Sequence, residues 1–208
     1  MYKRKFTMPR GAALFVLALT AVIPGPSCTL SAAASPASAR TALPAPDRIG
    51  SLKLHLARAG SEAAMLGRAV LIVQAHPAGT ASAHDTGRTI GGLKVEHYVQ
   101  KLTVIDTLKG RVPADLRLVL PGVEPLPPAK DPLNAQYPGP LAEDVAYMLF
   151  LEPAGLPGMY TTVGGWQGIY PLNDEGRTVS LEGAGFPQLG GLTPAELKRR
   201  LRTSGPGR

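Results

Sequence analysis

Histidines and carboxylates are the residues through which this chain could do acid–base or metal chemistry. His84 and Asp85 are adjacent in a glycine-flanked stretch, where such a pair could hold a metal ion or transfer a proton. The four histidines form no HExxH or other close ligand pair, and the sequence has no GxSxG, P-loop or GxGxxG motif. We therefore interpret His84-Asp85 as a solvated polar loop, and we predict no catalytic residue, no metal site and no cofactor.

The remaining titratable pairs and single histidines have structural interpretations. His76 ends one predicted strand and His97 lies within another, and at both positions we prefer a hydrogen-bonded structural histidine to a ligand. Glu143 and Asp144 are neighbours in a turn before a strand, so their side chains should point apart. We interpret them as charges that keep a loop soluble.

The segment GGWQG at 164–168 holds the only tryptophan, Trp166. Its ring could bind a ligand by stacking, because the flanking glycines permit close approach. The alternative is a packing role, with the ring at the end of a β-structure and its N–H bonded to a backbone carbonyl or a water. We favour packing, and we still expect any ligand or peptide surface here. Its predicted members are Trp166, Tyr160, Tyr170 and Gln167.

Strands that would position these residues follow from apolar alternation with a period of two. We predict strands at 51–58, 70–76, 93–110, 115–122, 145–153 and 158–165, and a hairpin at 167–181 that turns from Asn173 to Gly176. Over 93–110 the more apolar face changes between His97 and Leu102, which predicts a bulge or sharp bend. Composition predicts loops at 77–92 and over the proline-rich stretch 121–144.

Two short helices are predicted beside these strands. Ser61 can cap a helix over 61–69. Thr193, followed by Pro194 and Glu196, forms a capping-box pattern for a basic helix and tail at 193–208. Six or more short strands with two peripheral helices predict a mainly β fold, either a barrel or a sandwich.

The N-terminus predicts export. Four basic residues precede thirteen uncharged ones, which is the pattern of a secretory signal peptide and is shorter than the roughly 20 residues that a helix needs to cross a bilayer. Cleavage after residue 27 would leave Cys28 for lipidation, whereas cleavage near Ala39 would discard this only cysteine. We prefer the second, because Gly25 stands where a lipobox has a leucine-like residue.

The rest of the chain divides into a leader, one domain and a tail. Residues 28–46 are rich in Pro, Ala and Ser and predict a disordered leader, and 47–192 form the domain. The formal charge of +7 comes from the two ends, since 40–192 hold thirteen Lys/Arg against fourteen Asp/Glu. A nucleic-acid groove needs clustered cations. We therefore predict no nucleic-acid partner, and membrane contact only through the signal peptide or a lipid on Cys28.

Five motifs, taken in order from Ser61 to Leu181, carry a family resemblance. They are SEAAMLGRAVLIVQAH, VIDTLKG, LRLVLPG, AYMLFLEP and TVGGWQGIYPL. This order resembles a broad group of uncharacterised exported bacterial domains. Such domains resemble small antiparallel OB-like barrels of five strands, similar to the inhibitory domain of tissue inhibitors of metalloproteinases and to netrin modules. The chain departs from the inhibitors because it lacks their disulfide-tied N-terminal cysteine.

These observations predict a non-enzymatic protein that is secreted, periplasmic or on the cell surface. We expect it to bind an envelope or extracellular protein, or a glycan, through the rim of the barrel and the loops at 77–92 and 121–144. The alternative is a hydrolase or metal-dependent enzyme with a site near His84-Asp85. An enzyme would require His84 to lie within reach of another histidine or a carboxylate.

Overall fold

A computed structural model describes residues 45–128 and 130–203. The predicted signal peptide, both cleavage sites, Cys28, the leader up to residue 44 and the tail from residue 204 lie outside these ranges. No helix in the described ranges has the length and apolar character needed to span a membrane.

The fold is mainly β, as the alternation predicts. The strands are β1 (Leu71–Pro77), β2 (Ser82–Ile90), β3 (Leu93–Lys109), β4 (Arg117–Glu124), β5 (Tyr147–Pro153), β6 (Met159–Thr162) and β7 (Ile169–Pro171). The helices are α1 (Pro46–Gly50), α2 (Glu62–Arg68) and α3 (Pro194–Thr203), and short 3-10 turns lie at Pro132–Ala135, Gly165–Gly168 and Pro187–Leu189.

Five strands pair in a ring. The order is β1-β3-β4-β6-β5, and β5 pairs again with β1. All these pairings are antiparallel except that of β4 with β6. β2 pairs with the first half of β3, and β7 pairs with β5. The side chains that point into the ring form the main core.

Strand β3 is long enough to pair with three strands. Its first half pairs with β2 and β4, and its second half pairs with β1 through two register shifts that leave Ile105 and Leu108 without a partner in β1. The predicted irregularity is therefore present, but it falls after the predicted change of face. From Val95 to Gln100 every residue of β3 is buried. Both faces are covered there because α1 packs on the outer one, where Ile49 contacts Val99 in a cluster of its own.

The core confirms the apolar alternation of the inner strands. Leu116, Leu118 and Leu120 all belong to the main cluster inside the ring. In β5 the residues Met148 to Leu151 are fully buried, because one face lies in the ring and the other lies under α2 and α3. β5 is therefore central, as its composition predicts.

The predicted helix caps are present. Ser61 Oγ accepts a hydrogen bond from Ala64 N at 3.1 Å and begins α2. At α3, Glu196 Oε2 accepts from Thr193 N at 2.8 Å while Thr193 Oγ1 accepts from Glu196 N at 3.3 Å. This reciprocal pair is a capping box, and it satisfies backbone donors that the helix itself leaves unpaired.

The loop predicted at 77–92 is wrong, because most of it is strand β2. Gly91 and Gly92 have φ values of 57° and 84° and join β2 to β3 in the two-residue hairpin that requires positive φ. β2 is polar because its residues are mostly exposed, so composition alone misidentified it as a loop. His84-Asp85 consequently lies in a strand and not in a mobile loop.

The strand predicted at 51–58 is also wrong. These residues have no regular secondary structure, although Leu52, Leu54 and Leu56 are half-buried and the residues between them are exposed. The alternation thus correctly indicates an extended chain with one apolar side. What it could not indicate is that no strand of the described ranges pairs with it. We call residues 51–58 the leucine segment.

The end of the sheet is shorter than predicted. β6 stops at Thr162, and the predicted hairpin at 167–181 is reduced to β7 and a single bridge between Leu172 and Thr178. Its turn is where the sequence places it, since Gly176 N donates to the Asn173 carbonyl at 2.8 Å. The 3-10 turn that contains Trp166 interrupts the strand direction before β7 begins.

Candidate functional site

A groove of about 1120 Å³ runs along the leucine segment. The half-buried leucines form one wall, and the other walls include residues of three segments at 130–137, 164–167 and 181–184. Parts of β2, β3 and β4 complete it through Arg88, His97 and Pro121. The groove therefore combines an apolar side with polar groups from distant parts of the chain.

Side chains hold the C-terminal end of the leucine segment against the ring. The amide of Gln167 accepts from Ala59 N at 2.7 Å and donates to the Ala59 carbonyl at 3.0 Å, in a buried position. Arg68 donates to the Ala57 carbonyl at 2.6 Å and to Glu152 Oε1 at 2.6 Å. Arg68 and Gln167 thus do for this segment what a neighbouring strand would do.

The N-terminal end of the leucine segment follows from α1. His97 Nδ1 donates to the Ile49 carbonyl at 2.9 Å, and Ile49 is fully buried. The next residue, Gly50, lies against β2 so closely that an added Cβ would be 2.0 Å from the carbonyl oxygen of Asp85. Only glycine fits this contact without a shift of the backbone.

Trp166 lies in the groove and also holds its walls together. Gly164, with φ 66°, turns the chain into the 3-10 turn, and the indole N–H donates to the Asn134 carbonyl in the facing loop. The ring also packs against the main core cluster. The hydrogen bond expected for a packing role is present, and the same side chain forms part of the groove surface.

The structure brings together two of the four predicted surface residues. Trp166 and Gln167 both line the groove. Tyr160 is half-buried against the main core and is not among the groove residues. Tyr170 is fully buried, packs edge-to-face on Phe150 at 5.4 Å and accepts a bond from Phe186 N at 2.8 Å. Burial raises the pKa of Tyr170 to about 12, so its hydroxyl stays protonated.

Cations outnumber carboxylates in the groove. Its cations are Lys53, Arg58, Arg88 and Lys130, and its carboxylates are Asp131 and Glu182. In the described part of the chain, none of these four cations forms an ion pair with a carboxylate. Asp131 is partly engaged, since it accepts from Leu133 N at 2.8 Å. The groove is thus electropositive on a domain that is otherwise close to neutral.

His84 and Asp85 do not converge. Neighbouring residues of a strand point to opposite faces, and here His84 lies opposite His97 whereas Asp85 lies opposite Glu96. His84 Nε2 is 3.1 Å from Ser82 Oγ, and Asp85 accepts from Gly87 N at 2.7 Å. Burial lowers the pKa of both histidines, so each is biased toward its neutral form.

The other titratable groups make local hydrogen bonds or are exposed to solvent. Within residues 45–128 and 130–203, no cluster of three or more His, Cys, Asp or Glu is placed to hold a metal ion. His76 Nδ1 donates to the Pro77 carbonyl at 3.0 Å, as a structural histidine would. Glu143 and Asp144 are both exposed.

Sequence reasoning missed the cations of the groove and Arg68. Lys53, Arg88 and Lys130 are far apart in the chain, so no local pattern connects them. The GGWQG segment was the local signal that pointed to this surface, and the leucine alternation indicated the extended chain beside it. Comparison of the chain with protein-family models, with curated proteins and with solved structures found no match.

Proposed function

We propose that the chain is an exported, non-enzymatic binding module of the bacterial cell envelope. Its partner is an envelope or extracellular protein or a glycan, held in the groove beside the leucine segment. The groove is the observation that supports this function. Its volume is comparable to the 300–1,000 Å³ or so of ligand sites, and its lining combines apolar side chains with a few oriented polar groups.

The polar groups of the groove favour binding over catalysis. The Trp166 N–H, the Gln167 amide and His97 Nδ1 are each bonded to a backbone group. A side chain so engaged shapes a surface and holds a wall in place. A nucleophile or general base must instead keep its reactive atom free for the substrate.

We also propose that the scaffold under this groove is a small barrel of the OB type. The support is the ring of pairings, in which β1 bonds to both β3 and β5. A second support is β3, which pairs with β4 in its first half and with β1 in its second half, where two register shifts occur as in strands that turn a barrel corner. A rigid ring would present the groove with little rearrangement on binding.

Site-specific photo-crosslinking tests the groove as the binding surface. Benzoylphenylalanine replaces Lys53 at the groove or Lys101 outside it, both exposed lysines, in chains expressed in the native host. We expect a discrete protein or glycan adduct from position 53 and none from position 101. Equal labelling from both positions, or none from position 53, would refute the proposal.

Export and anchoring have a separate test. Intact mass of the mature chain from the envelope and the culture fluid distinguishes a lipidated start at Cys28 from an unlipidated start near Arg40. We expect the unlipidated form, since Gly25 is a poor lipobox residue. A full-length mass with the N-terminal 27 residues retained would contradict export.

The alternative of a metal-dependent enzyme has one supporting observation, the pairing of His84 with His97 across β2 and β3. Two facing histidines could ligate Zn²⁺ if the substrate or water completed the shell. Zinc titration followed by NMR of the histidine rings tests this. The alternative requires His84 and His97 to shift together while His76 does not, and it fails if the rings respond equally or not at all.

A further inference from the structure

We infer that the occupant of the groove is an extended acidic peptide of a partner protein, which pairs with the backbone of the leucine segment as an added strand. This inference rests on the proposed function and narrows it, because it names both the class of partner and the way in which it binds. Three observations carry it: the backbone of the segment is unpaired within the described residues, one wall of the groove is apolar, and the groove has an excess of cations.

Within the described residues, the backbone of the leucine segment has one edge bonded to Arg68 and one edge without a partner. Alternate residues of an extended chain direct their N–H and C=O groups to the same edge. The carbonyls of His55 and Ala57 both accept from Arg68, so Arg68 occupies the edge formed by the odd-numbered residues. The opposite edge belongs to Leu54 and Leu56.

Nothing in the described ranges pairs with that second edge. Between Lys53 and Arg58 no backbone group is bonded to a backbone group of residues 45–128 or 130–203. An extended chain with unpaired N–H and C=O groups is a template for another strand. Strand addition is a recurrent mode of peptide recognition, in which main-chain bonds supply affinity and pockets for alternate side chains supply specificity.

The groove provides room for the side chains of such a strand. The leucine segment extends over about 26 Å if each residue advances about 3.3 Å, which matches a peptide of similar length. Leu52, Leu54 and Leu56 offer an apolar surface on one side, and Trp166 and Tyr137 face them from the loops. A peptide with alternating apolar and charged residues would place its apolar side chains on this wall.

Charge selects an acidic peptide. Lys53, Arg88 and Lys130 are exposed, line the groove and have no carboxylate partner in the described residues. Arg58 donates to the Ala184 carbonyl and keeps its charge beside the same surface. Complementary potentials raise association rates and discriminate against partners of like charge.

Fluorescence anisotropy with four labelled decapeptides tests the inference on the mature chain. The first alternates valine and aspartate, and the second alternates valine and lysine. The third and fourth have the sequence of the first, with N-methyl groups on the valines in one and on the aspartates in the other. We expect the aspartate peptide to bind at least tenfold more tightly than the lysine peptide. Its binding should also weaken as salt is raised from 50 to 300 mM.

N-methylation distinguishes strand pairing from simple charge attraction. The amides of the valines and of the aspartates point to opposite edges of the peptide. One methylated version should therefore lose at least tenfold in affinity and the other should keep its affinity. Equal affinities for all versions would overturn the pairing, and equal affinities for the aspartate and lysine peptides would overturn the charge preference.

Charge-reversal variants locate the site. Lys53→Glu and Arg88→Glu should each weaken binding of the aspartate peptide about tenfold. Arg199→Glu is the matched control, since Arg199 is exposed on α3, is not a groove residue and changes the net charge equally. Thermal unfolding verifies that each variant is folded. Weakening by Arg199→Glu equal to that of the groove variants would overturn the inference.

The experiments distinguish failure of the proposed function from failure of the inferred occupant. If a crosslink forms from position 53 but the aspartate peptide does not bind, the groove is a binding surface and the inferred occupant is wrong. Binding of dextran sulfate with the same charge dependence, without binding of the peptide, would assign the groove to an anionic polysaccharide and also overturn the inference. If position 53 captures nothing and no probe binds, both proposals fall.

Discussion

The two sides of the groove are held in place by different kinds of bond. On one side β2, β3 and β4 are joined by backbone ladders. On the other side the leucine segment depends on Arg68 and Gln167 after it and on His97 before it. A ladder distributes its stability over many residues, whereas three side chains are individually replaceable. The leucine segment can therefore be released without loss of the ring.

Truncation of the core between β5 and the helices α2 and α3 should have the largest effect. Phe150→Ala removes a fully buried ring that packs on Tyr170, and we expect the free energy of unfolding to fall by about 3–5 kcal/mol. Urea denaturation measures the change. Ile105→Ala is the control, because Ile105 is 55 % exposed and should change stability by no more than about 0.5 kcal/mol. A loss below about 1 kcal/mol for Phe150→Ala would contradict a tightly packed core on this face of β5.

Two buried glutamines, one that holds the leucine segment and one in strand β3, allow a matched comparison. Gln167 bonds both backbone groups of Ala59, and Gln100 bonds both backbone groups of Leu141. We expect Gln167→Ala and Gln100→Ala each to cost about 2–3 kcal/mol, since each leaves a buried N–H and C=O without a partner. Hydrogen exchange should then quicken around Ala59 in the first variant and around Leu141 in the second. Exchange that quickens over the same residues in both would contradict separate anchoring.

Arg68→Ala should release the leucine segment at a smaller cost, about 1–2 kcal/mol. The loss combines the bonds to Ala57 and His55 with the isolation of Glu152, whose side chain is 13 % exposed. Arg68→Lys keeps the charge and loses the planar fork, so it should restore only part of the stability. Full restoration by lysine would show that charge alone holds the segment. Urea denaturation and exchange at Ala59 measure both variants.

The smallest expected effect is a dependence on pH at the N-terminal end of the segment. Burial lowers the pKa of His97 in the folded state below its ordinary 6.5, so the unfolded chain takes up the proton first. The stability contributed by neutral His97 is therefore complete above pH 6.5 and is lost as pH falls through the lowered folded value. His84 acts in the same direction, since burial also lowers its pKa.

His97→Asn isolates this contribution, because asparagine can still donate to the Ile49 carbonyl but does not titrate. The variant should lose less stability than the parent chain between pH 7 and pH 5. Glu96 contributes in the opposite sense, since burial raises its pKa, but it is common to both chains and cancels in the comparison. Identical pH profiles for the two chains would refute the role of His97.

Sequence patterns predicted the elements whose environment is local. The alternation over 115–122 and 145–153 identified β4 and β5, and the caps at Ser61 and Thr193 identified two helices. β2 was missed because an exposed edge strand carries the polar composition of a loop. The leucine segment was predicted as a short strand because periodicity reports an extended chain and not the presence of a neighbour.

The candidate site was predictable only in part, for a related reason. Trp166 and Gln167 were found because glycines mark a close approach within one short segment. The cations Lys53, Arg88 and Lys130 come from three separate regions and are brought together by the fold. Tyr160 and Tyr170 are close to Trp166 in sequence, yet the strand direction carries both of them away from the groove.

The contact of Gly50 with β2 has a consequence for the ancestry of this protein. Any side chain at position 50 would collide with the carbonyl of Asp85, so descent should preserve glycine there wherever the groove is preserved. Lys53, Arg88 and Lys130 face open space and are free to diverge as partners change. Among diverged copies, an unchanged glycine beside changing charges would mark shared inheritance of the groove, and the charges would record the partner to which each lineage has adapted.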